Sequence, residues 1–144
     1  MFPEREPART EPVMTYDQLL EKVRYEGAYP TRERAEASVH QVLSALGRQV
    51  TGDERVELAA RLPFEAARIL TAQIPATEHL TGWAFVKDLA TRTGGTPATA
   101  RWDAGTVLTL VAQLAGPDLV TRVIAQLPPG FALLFGKAEL TQAA

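Results

Sequence analysis

The sequence predicts an all-α fold, a two-lobed bundle of about eight helices built by internal duplication with pseudo-twofold symmetry. Three observations lead to this prediction. Apolar residues recur at helical spacing along most of the chain, and no stretch shows sustained strand alternation. The chain also aligns with itself when it is shifted by 65 residues. Its 144 residues, of which 46% are hydrophobic and 22% charged, suffice for a hydrophobic core.

The internal repeat places Thr31–Leu70 on Thr96–Phe135 without a gap, and nine of 40 positions are identical. Both segments end their third helix with a Leu-Pro pair, Leu62-Pro63 in the first and Leu127-Pro128 in the second. We therefore divide the chain into a tail, residues 1–14, and a single helical domain, residues 15–144. The domain consists of two repeats, residues 15–79 and 80–144.

The tail is predicted to be disordered, because Pro3, Pro7 and Pro12 each fix φ and lack a backbone donor. It has no apolar core of the kind that a secretory signal needs, so we expect a cytoplasmic protein. The longest uncharged runs, residues 104–117 and 123–136, fall short of the about 20 apolar residues of a membrane span. The absence of cysteine excludes disulfides and thiolate chemistry.

The first repeat is predicted to contain four helices, of which the first ends near Gly27 and the second begins at Thr31. Thr51 and Glu54 form the capping-box pattern of a third helix, and Pro63 begins a short fourth. The predicted inward-facing residues are Tyr16, Leu19, Leu20, Val23, Val39, Val42, Leu43, Leu46, Val50, Leu58, Ala59, Leu62, Phe64, Ala67 and Leu70.

The second repeat follows the same plan with different caps. Its first helix spans roughly Gly82–Thr93 and ends at Gly94-Gly95, and its long second helix covers Thr99–Ala115. Gly116-Pro117-Asp118 begins the third helix, with an acid near the positive end of the helix dipole. Pro128-Pro129-Gly130 leads into the last apolar turn, Phe131–Phe135.

The two repeats differ in charge, because residues 15–79 carry 18 charged side chains and residues 80–144 carry nine. The second repeat therefore either lies centrally in the fold or offers an apolar face to a partner. The candidate partner face consists of Phe131, Leu134 and Phe135, with Leu133 between them. A second copy of the chain would use the same surface, giving a homodimer.

No arrangement of residues points to catalysis, a cofactor or a metal. Glu36, His40 and Ser44 share one helix face, but a serine within a regular helix has no oxyanion hole beside it. The spacing of Glu36 and His40 differs from the Glu-x-x-His of di-iron bundles. His79 is expected in a polar loop. The sequence thus names no catalytic, cofactor-binding or metal-binding residue and favours a non-enzymatic protein.

The two tryptophans, Trp83 and Trp102, are candidate aromatic residues of a cleft between the repeats, with core packing as the other interpretation. A pocket of roughly 300 Å³ lined by either of them would favour a small-molecule-binding protein or an enzyme. Residues 51–70 are weakly similar to a helix-turn-helix, but their basic and acidic side chains cancel, which argues against nucleic acid.

The pattern Leu19-x3-Val23-x3-Gly27, followed by Val42-Leu43 and Leu62-Pro63, resembles the bacterial domain-of-unknown-function family 2267. Val107-Leu108 and Leu127-Pro128 repeat it, and the resemblance covers about residues 15–136. It implies a small, helical, duplicated bacterial protein without an established activity. The leading hypothesis is therefore a protein-interaction or self-association module, regulatory or stress-related, that binds an unidentified protein or a second copy.

Overall fold

The computed structural model describes residues 14–137, which form eight α-helices and no strand. The predicted disordered tail lies outside the described residues except for Met14, which packs against the core. The all-helical prediction is confirmed. In chain order the helices are α1 (Tyr16–Glu26), α2 (Arg32–Gly47), α3 (Gly52–Arg61), α4 (Phe64–Thr71), α5 (Gly82–Thr93), α6 (Pro97–Ala115), α7 (Pro117–Gln126) and α8 (Phe131–Leu134).

Threonine side chains cap four of the helices. Thr15, Thr31, Thr81 and Thr96 each accept a hydrogen bond from the backbone N–H three residues later, which satisfies a donor that the helix leaves free. The predicted cap at Thr31 is therefore confirmed. At the other end of α5, Gly94 adopts a left-handed conformation with φ of 74°, as predicted for the glycine that ends this helix.

The start of α3 corrects the sequence prediction. Thr51 precedes the helix, but its side chain makes no capping hydrogen bond, so the capping box with Glu54 is wrong. The side chain of Gln126 supplies the contact instead, because its Oε1 accepts from the Thr51 N–H at 2.8 Å. Gln126 Nε2 also donates to Glu54 Oε1 at 3.2 Å, which draws the carboxylate away from the cap.

Some helix boundaries in the two halves coincide after a shift of 65 residues, whereas the ends of α2 and α6 do not. α2 begins at Arg32 and α6 at Pro97, while α3 and α7 span Gly52–Arg61 and Pro117–Gln126. The helices that correspond also pack against each other, α2 on α6 and α3 on α7. The duplication itself stays a prediction, and these boundaries agree with it.

The hydrophobic core draws side chains from all eight helices. Phe85 of α5 and Phe131 of α8 meet edge to face at its centre, with ring centroids 5.1 Å apart. Phe64, which the sequence places inside, is 68% exposed, because α4 directs Ala66 and Leu70 inward instead. The guanidinium of Arg68 lies over the exposed Phe64 ring, 5.8 Å from its centroid. Among residues 14–137, no helix is long and apolar enough to cross a membrane.

Candidate functional site

An open groove of about 430 Å³ follows one face of α6, the longest helix. Glu26, at the end of α1, and Leu133 of α8 also line it. From Ala98 to Gln113 it extends about 22 Å along the helix axis, at 1.5 Å per residue. The residues that line it are Glu26, Ala98, Arg101, Trp102, Gly105, Thr106, Thr109, Leu110, Gln113 and Leu133.

Two large apolar side chains from different helices line this α6 groove. Trp102 is 55% exposed, and Leu133, on α8, is 52% exposed. The indole Nε1 of Trp102 donates to the carbonyl oxygen of Gly27 at 2.9 Å, which fixes the ring against the end of α1. The indole thus combines a satisfied polar atom with an open aromatic surface, a combination that is common at protein interfaces.

Gly105 lies in the middle of the groove floor. A glycine in a helix interior costs about 1 kcal/mol relative to alanine. Gly105 has no positive φ that would require glycine, and a Cβ added there would meet no atom within 4 Å. Nothing within the described chain therefore accounts for a glycine at this position. A mid-helix glycine on an open face permits another backbone to approach closely.

A buried polar cluster lies behind the groove and holds α6 against the turn between α1 and α2. Asp103 accepts a hydrogen bond from the Tyr29 hydroxyl at 2.5 Å and a longer one from Arg34 at 3.5 Å. The Tyr29 oxygen also lies 3.0 Å from Ser38 Oγ. Burial, and then the hydrogen bond to Asp103, raise the pKa of Tyr29 to about 12. The cluster is hydrogen-bonded throughout, so its geometry suits positioning of the helices rather than chemistry.

The structure separates the two predicted cleft tryptophans. Trp102 lines the α6 groove, as described above. Trp83 lies at the start of α5 and is not among the groove residues; it is 63% exposed, with Lys87 Nζ 5.9 Å from its ring centroid. The groove exceeds the expected 300 Å³ and brings Trp102 together with Arg101 and Glu26, which comes from the first half of the chain.

The predicted partner face is corrected by the structure. Phe131, Leu134 and Phe135 are exposed by 0%, 3% and 2% and belong to the core. Their spacing of i, i+3 and i+4 places them on one side of α8 and the turn that follows it, where α6 covers them. Leu133 points the other way and reaches the groove. Of the four large apolar residues in this turn, three therefore pack in the core and Leu133 is exposed.

The residues considered for catalysis or metal binding lie apart from the groove. Glu36 and His40 are exposed on α2, and His79 is exposed between α4 and α5. Within residues 14–137, no three His, Asp or Glu side chains are grouped so that they could hold a metal ion.

Two of the three basic side chains of the helix-turn-helix-like segment, residues 51–70, donate to backbone carbonyl oxygens of the fold. Arg55 donates to the carbonyl oxygens of Gly47, the last residue of α2, and of Leu70, near the end of α4, the latter at 3.2 Å. It also donates to the carbonyl oxygen of Val50, which follows α2, at 2.9 Å. Arg61 donates to the carbonyl of Ala115, at the end of α6. Guanidiniums held in this way are not free to neutralise phosphates, so the structure does not favour the α3–α4 segment as a nucleic-acid surface.

Sequence reasoning found Trp102 but missed the groove. The signal that was present is Gly105, an unexplained glycine within a helix, which stands where the first repeat has His40. The groove itself depends on how α1 and α8 flank α6, and that arrangement is set by tertiary packing.

A model of the family that the sequence resembles, described as an uncharacterized conserved protein, matches residues 16–134. The match begins at the first residue of α1 and ends at the last residue of α8, so it includes every helix described above. No curated protein matches the chain.

Proposed function

We propose that this chain, which belongs to the DUF2267 family, is a non-enzymatic protein-interaction module that binds an α-helix of its partner in the α6 groove. Gly105 is the observation that carries the proposal. Gly105 lowers the helix propensity of α6 and lies in the floor of the groove. A Cβ added at this position would meet no atom within 4 Å, so packing within the chain does not require a glycine there. A partner backbone that packs closely there would offset that cost.

The shape of the groove supports a helix as its occupant. Its length of about 22 Å corresponds to roughly four helical turns, whereas a compact small molecule would cover only part of it. Trp102 and Leu133 supply apolar anchors, and Arg101, Thr106 and Gln113 supply polar groups. An amphipathic helix that binds in a groove uses this combination of anchors and polar contacts.

A photo-crosslinking experiment tests the proposal. A benzoyl-phenylalanine at Thr106, in the groove, is compared with one at Val56, which is 69% exposed on α3 and lies outside the groove. We expect position 106 to crosslink to a helical segment of a protein, and Gly105→Arg to abolish that crosslink by filling the groove. Equal crosslinking from positions 106 and 56, or crosslinking that survives Gly105→Arg, would refute the proposal.

A small-molecule site is the second candidate, because the groove volume lies in the range of ligand pockets and includes an aromatic face beside Arg101 and Glu26. Ligand-observed NMR with a fragment library distinguishes it. Fragments that bind the wild type at micromolar affinity but not Gly105→Arg would favour this candidate. Uniformly weak binding, unaffected by the substitution, would exclude it.

A further inference from the structure

We infer that the turn between α1 and α2 is a strained latch that holds one wall of the α6 groove and releases it as a unit. The latch consists of Gly27, Ala28 and Tyr29. The inference rests on the proposed function, since it concerns the control of that same groove. Its basis is one strained backbone position and two hydrogen bonds to α6, one on either side of that position.

Ala28 stands at a backbone position that favours glycine. α1 ends in a Schellman motif, in which the Tyr29 N–H donates to the Arg24 carbonyl oxygen at 2.9 Å. The residue before the donor adopts a left-handed conformation in this motif, and Ala28 has φ of 55°. After α5 and α8 a glycine takes the same place, Gly94 and Gly136 respectively. Ala28 therefore carries a backbone strain that the other two turns avoid.

Contacts with α6 hold the strained turn in place. On one side of Ala28, the Gly27 carbonyl oxygen accepts a hydrogen bond from Trp102 Nε1 at 2.9 Å. On the other side, the Tyr29 hydroxyl donates to Asp103 at 2.5 Å. The Ala28 side chain is exposed, so packing of its methyl group does not offset the strain. Because Trp102 and Asp103 are consecutive, we expect both bonds to break together when the turn moves away from α6.

The latch controls the groove because it holds two residues of the groove wall. Trp102 and Glu26 line the groove, and Glu26 is the last residue of α1, directly before the latch. When the latch opens, Ala28 relaxes to a negative φ, the indole loses its fixed orientation and the end of α1 is released. A partner that packs on the indole in its fixed orientation therefore favours the closed latch, and the closed latch favours the partner.

Hydrogen exchange measured by NMR on the chain alone tests the latch. We expect the Tyr29 N–H and the Trp102 indole N–H to have the same protection factor, lower than that of the buried Leu108 N–H in α6. A shared, lower value means that the two groups open together without global unfolding. Ala28→Gly removes the strain, so we expect it to raise both protection factors about tenfold.

Two controls make the comparison specific. The indole N–H of Trp83, which is 63% exposed on α5, should not respond to Ala28→Gly. Gly94→Ala places an alanine at the left-handed position after α5, where a Cβ meets no atom within 4 Å. This second variant should lower the protection factor of the Gly95 N–H, which is hydrogen-bonded in that turn, and leave the Trp102 indole unchanged.

Three results of the exchange experiment would overturn the inference. The first is a different protection factor for the Tyr29 N–H and the Trp102 indole N–H. The second is an indole that does not respond to Ala28→Gly. The third is protection of both groups equal to that of Leu108, since the turn would then open only when the whole fold unfolds.

The crosslink from position 106 tests whether the latch controls binding. Tyr29→Phe removes the bond to Asp103 without changing a groove residue, so we expect it to lower the crosslink yield about threefold. Ala28→Gly, added to Tyr29→Phe, should restore part of the yield. A yield that neither substitution changes would show that the latch does not control the groove.

The failure of this inference can be distinguished from the failure of the proposed function, because the exchange experiment needs no partner. Coupled exchange without any crosslink from position 106 would leave the two-state turn in place and overturn the proposed function. A crosslink from position 106 together with independent exchange of the two groups would keep the groove as a binding surface and overturn the latch.

Discussion

The Tyr29 hydroxyl donates to the Asp103 carboxylate at 2.5 Å, although 74 residues separate them in the chain. The contact joins the turn after α1 to the middle of α6, and the next residue toward the N-terminus, Trp102, binds the same turn through Gly27. Two consecutive residues of α6 therefore fasten the first half of the molecule to the second. Because Trp102 also lines the groove, this attachment sets the orientation of its aromatic wall.

Removal of the Tyr29 hydroxyl should destabilise the fold. In Tyr29→Phe, the buried Asp103 loses its shorter hydrogen bond and retains only the contact with Arg34 at 3.5 Å. A buried polar group that loses its partner costs about 1–3 kcal/mol, so we expect the free energy of unfolding to fall by that amount. Urea denaturation measures it. Tyr25→Phe, at a residue that is 77% exposed, is the control, and an equal loss in both variants would contradict the role of the contact.

Tyr29 should also make the stability of the fold decrease at alkaline pH. Burial and the bond to Asp103 raise the pKa of Tyr29 to about 12, above its ordinary value of 10.0. The unfolded chain releases this proton near pH 10 and the folded chain retains it, so the contribution is fully present below pH 10 and decreases as pH rises to 12.

Urea titrations at pH 9, 10 and 11 check this expectation. Wild-type stability should decline over that range more steeply than the stability of Tyr29→Phe, which has no proton to lose at this position. Burial and Glu36 also raise the pKa of Tyr16 to about 12. Because Tyr16 is present in both proteins, its contribution to the pH dependence cancels in the comparison. Identical pH profiles in the two proteins would argue against a protonated, buried Tyr29.

Local sequence signals predicted most of the helices because they act within a few residues. The stripe Val39, Val42, Leu43, Leu46 and Val50 is fully buried, and α5 has the bounds that its glycines indicated. The predicted Thr51 cap is wrong because the contact that replaces it is not local. The Thr51 N–H donates to Gln126, which lies 75 residues away, and the sequence near Thr51 does not indicate that contact.

The candidate site was less predictable than the fold, since it depends on which side of each short helix meets the core. Phe131 and Leu133 are two residues apart and equally apolar, yet one is buried and the other is 52% exposed. Composition alone could not separate them. Knowing that α6 packs against α8 was needed, and that contact arises from the tertiary fold.

Arg55 should be a strong determinant of stability. Its guanidinium donates to the carbonyl oxygens of Gly47 and Leu70, at the C-terminal ends of α2 and α4, where the helix dipoles favour a positive charge. It also donates to the carbonyl oxygen of Val50 at 2.9 Å. We expect Arg55→Met to lower the free energy of unfolding by about 2–3 kcal/mol. Arg55→Lys should recover only part of this, because an ammonium lacks the planar fork that reaches both helix ends.

Chemical denaturation of both Arg55 variants beside Arg68→Lys provides the comparison. Arg68 is exposed and lies over the Phe64 ring, so its substitution should change stability by no more than about 0.5 kcal/mol. If Arg55→Lys were as stable as the wild type, charge alone would explain the contribution of Arg55, and the forked hydrogen bonding would not.

Two helical glycines should respond in opposite directions to alanine. A Cβ at Gly82 would lie 2.5 Å from the carbonyl carbon and oxygen of Gly130, so Gly82→Ala must displace the turn before α8 and should cost about 1–3 kcal/mol. A Cβ at Gly105 meets nothing within 4 Å, so Gly105→Ala should raise the free energy of unfolding by about 0.5–1 kcal/mol through helix propensity. Thermal and urea denaturation measure both changes. A destabilised Gly105→Ala would mean that the fold itself requires this glycine, and the basis for a partner backbone at the groove floor would be lost.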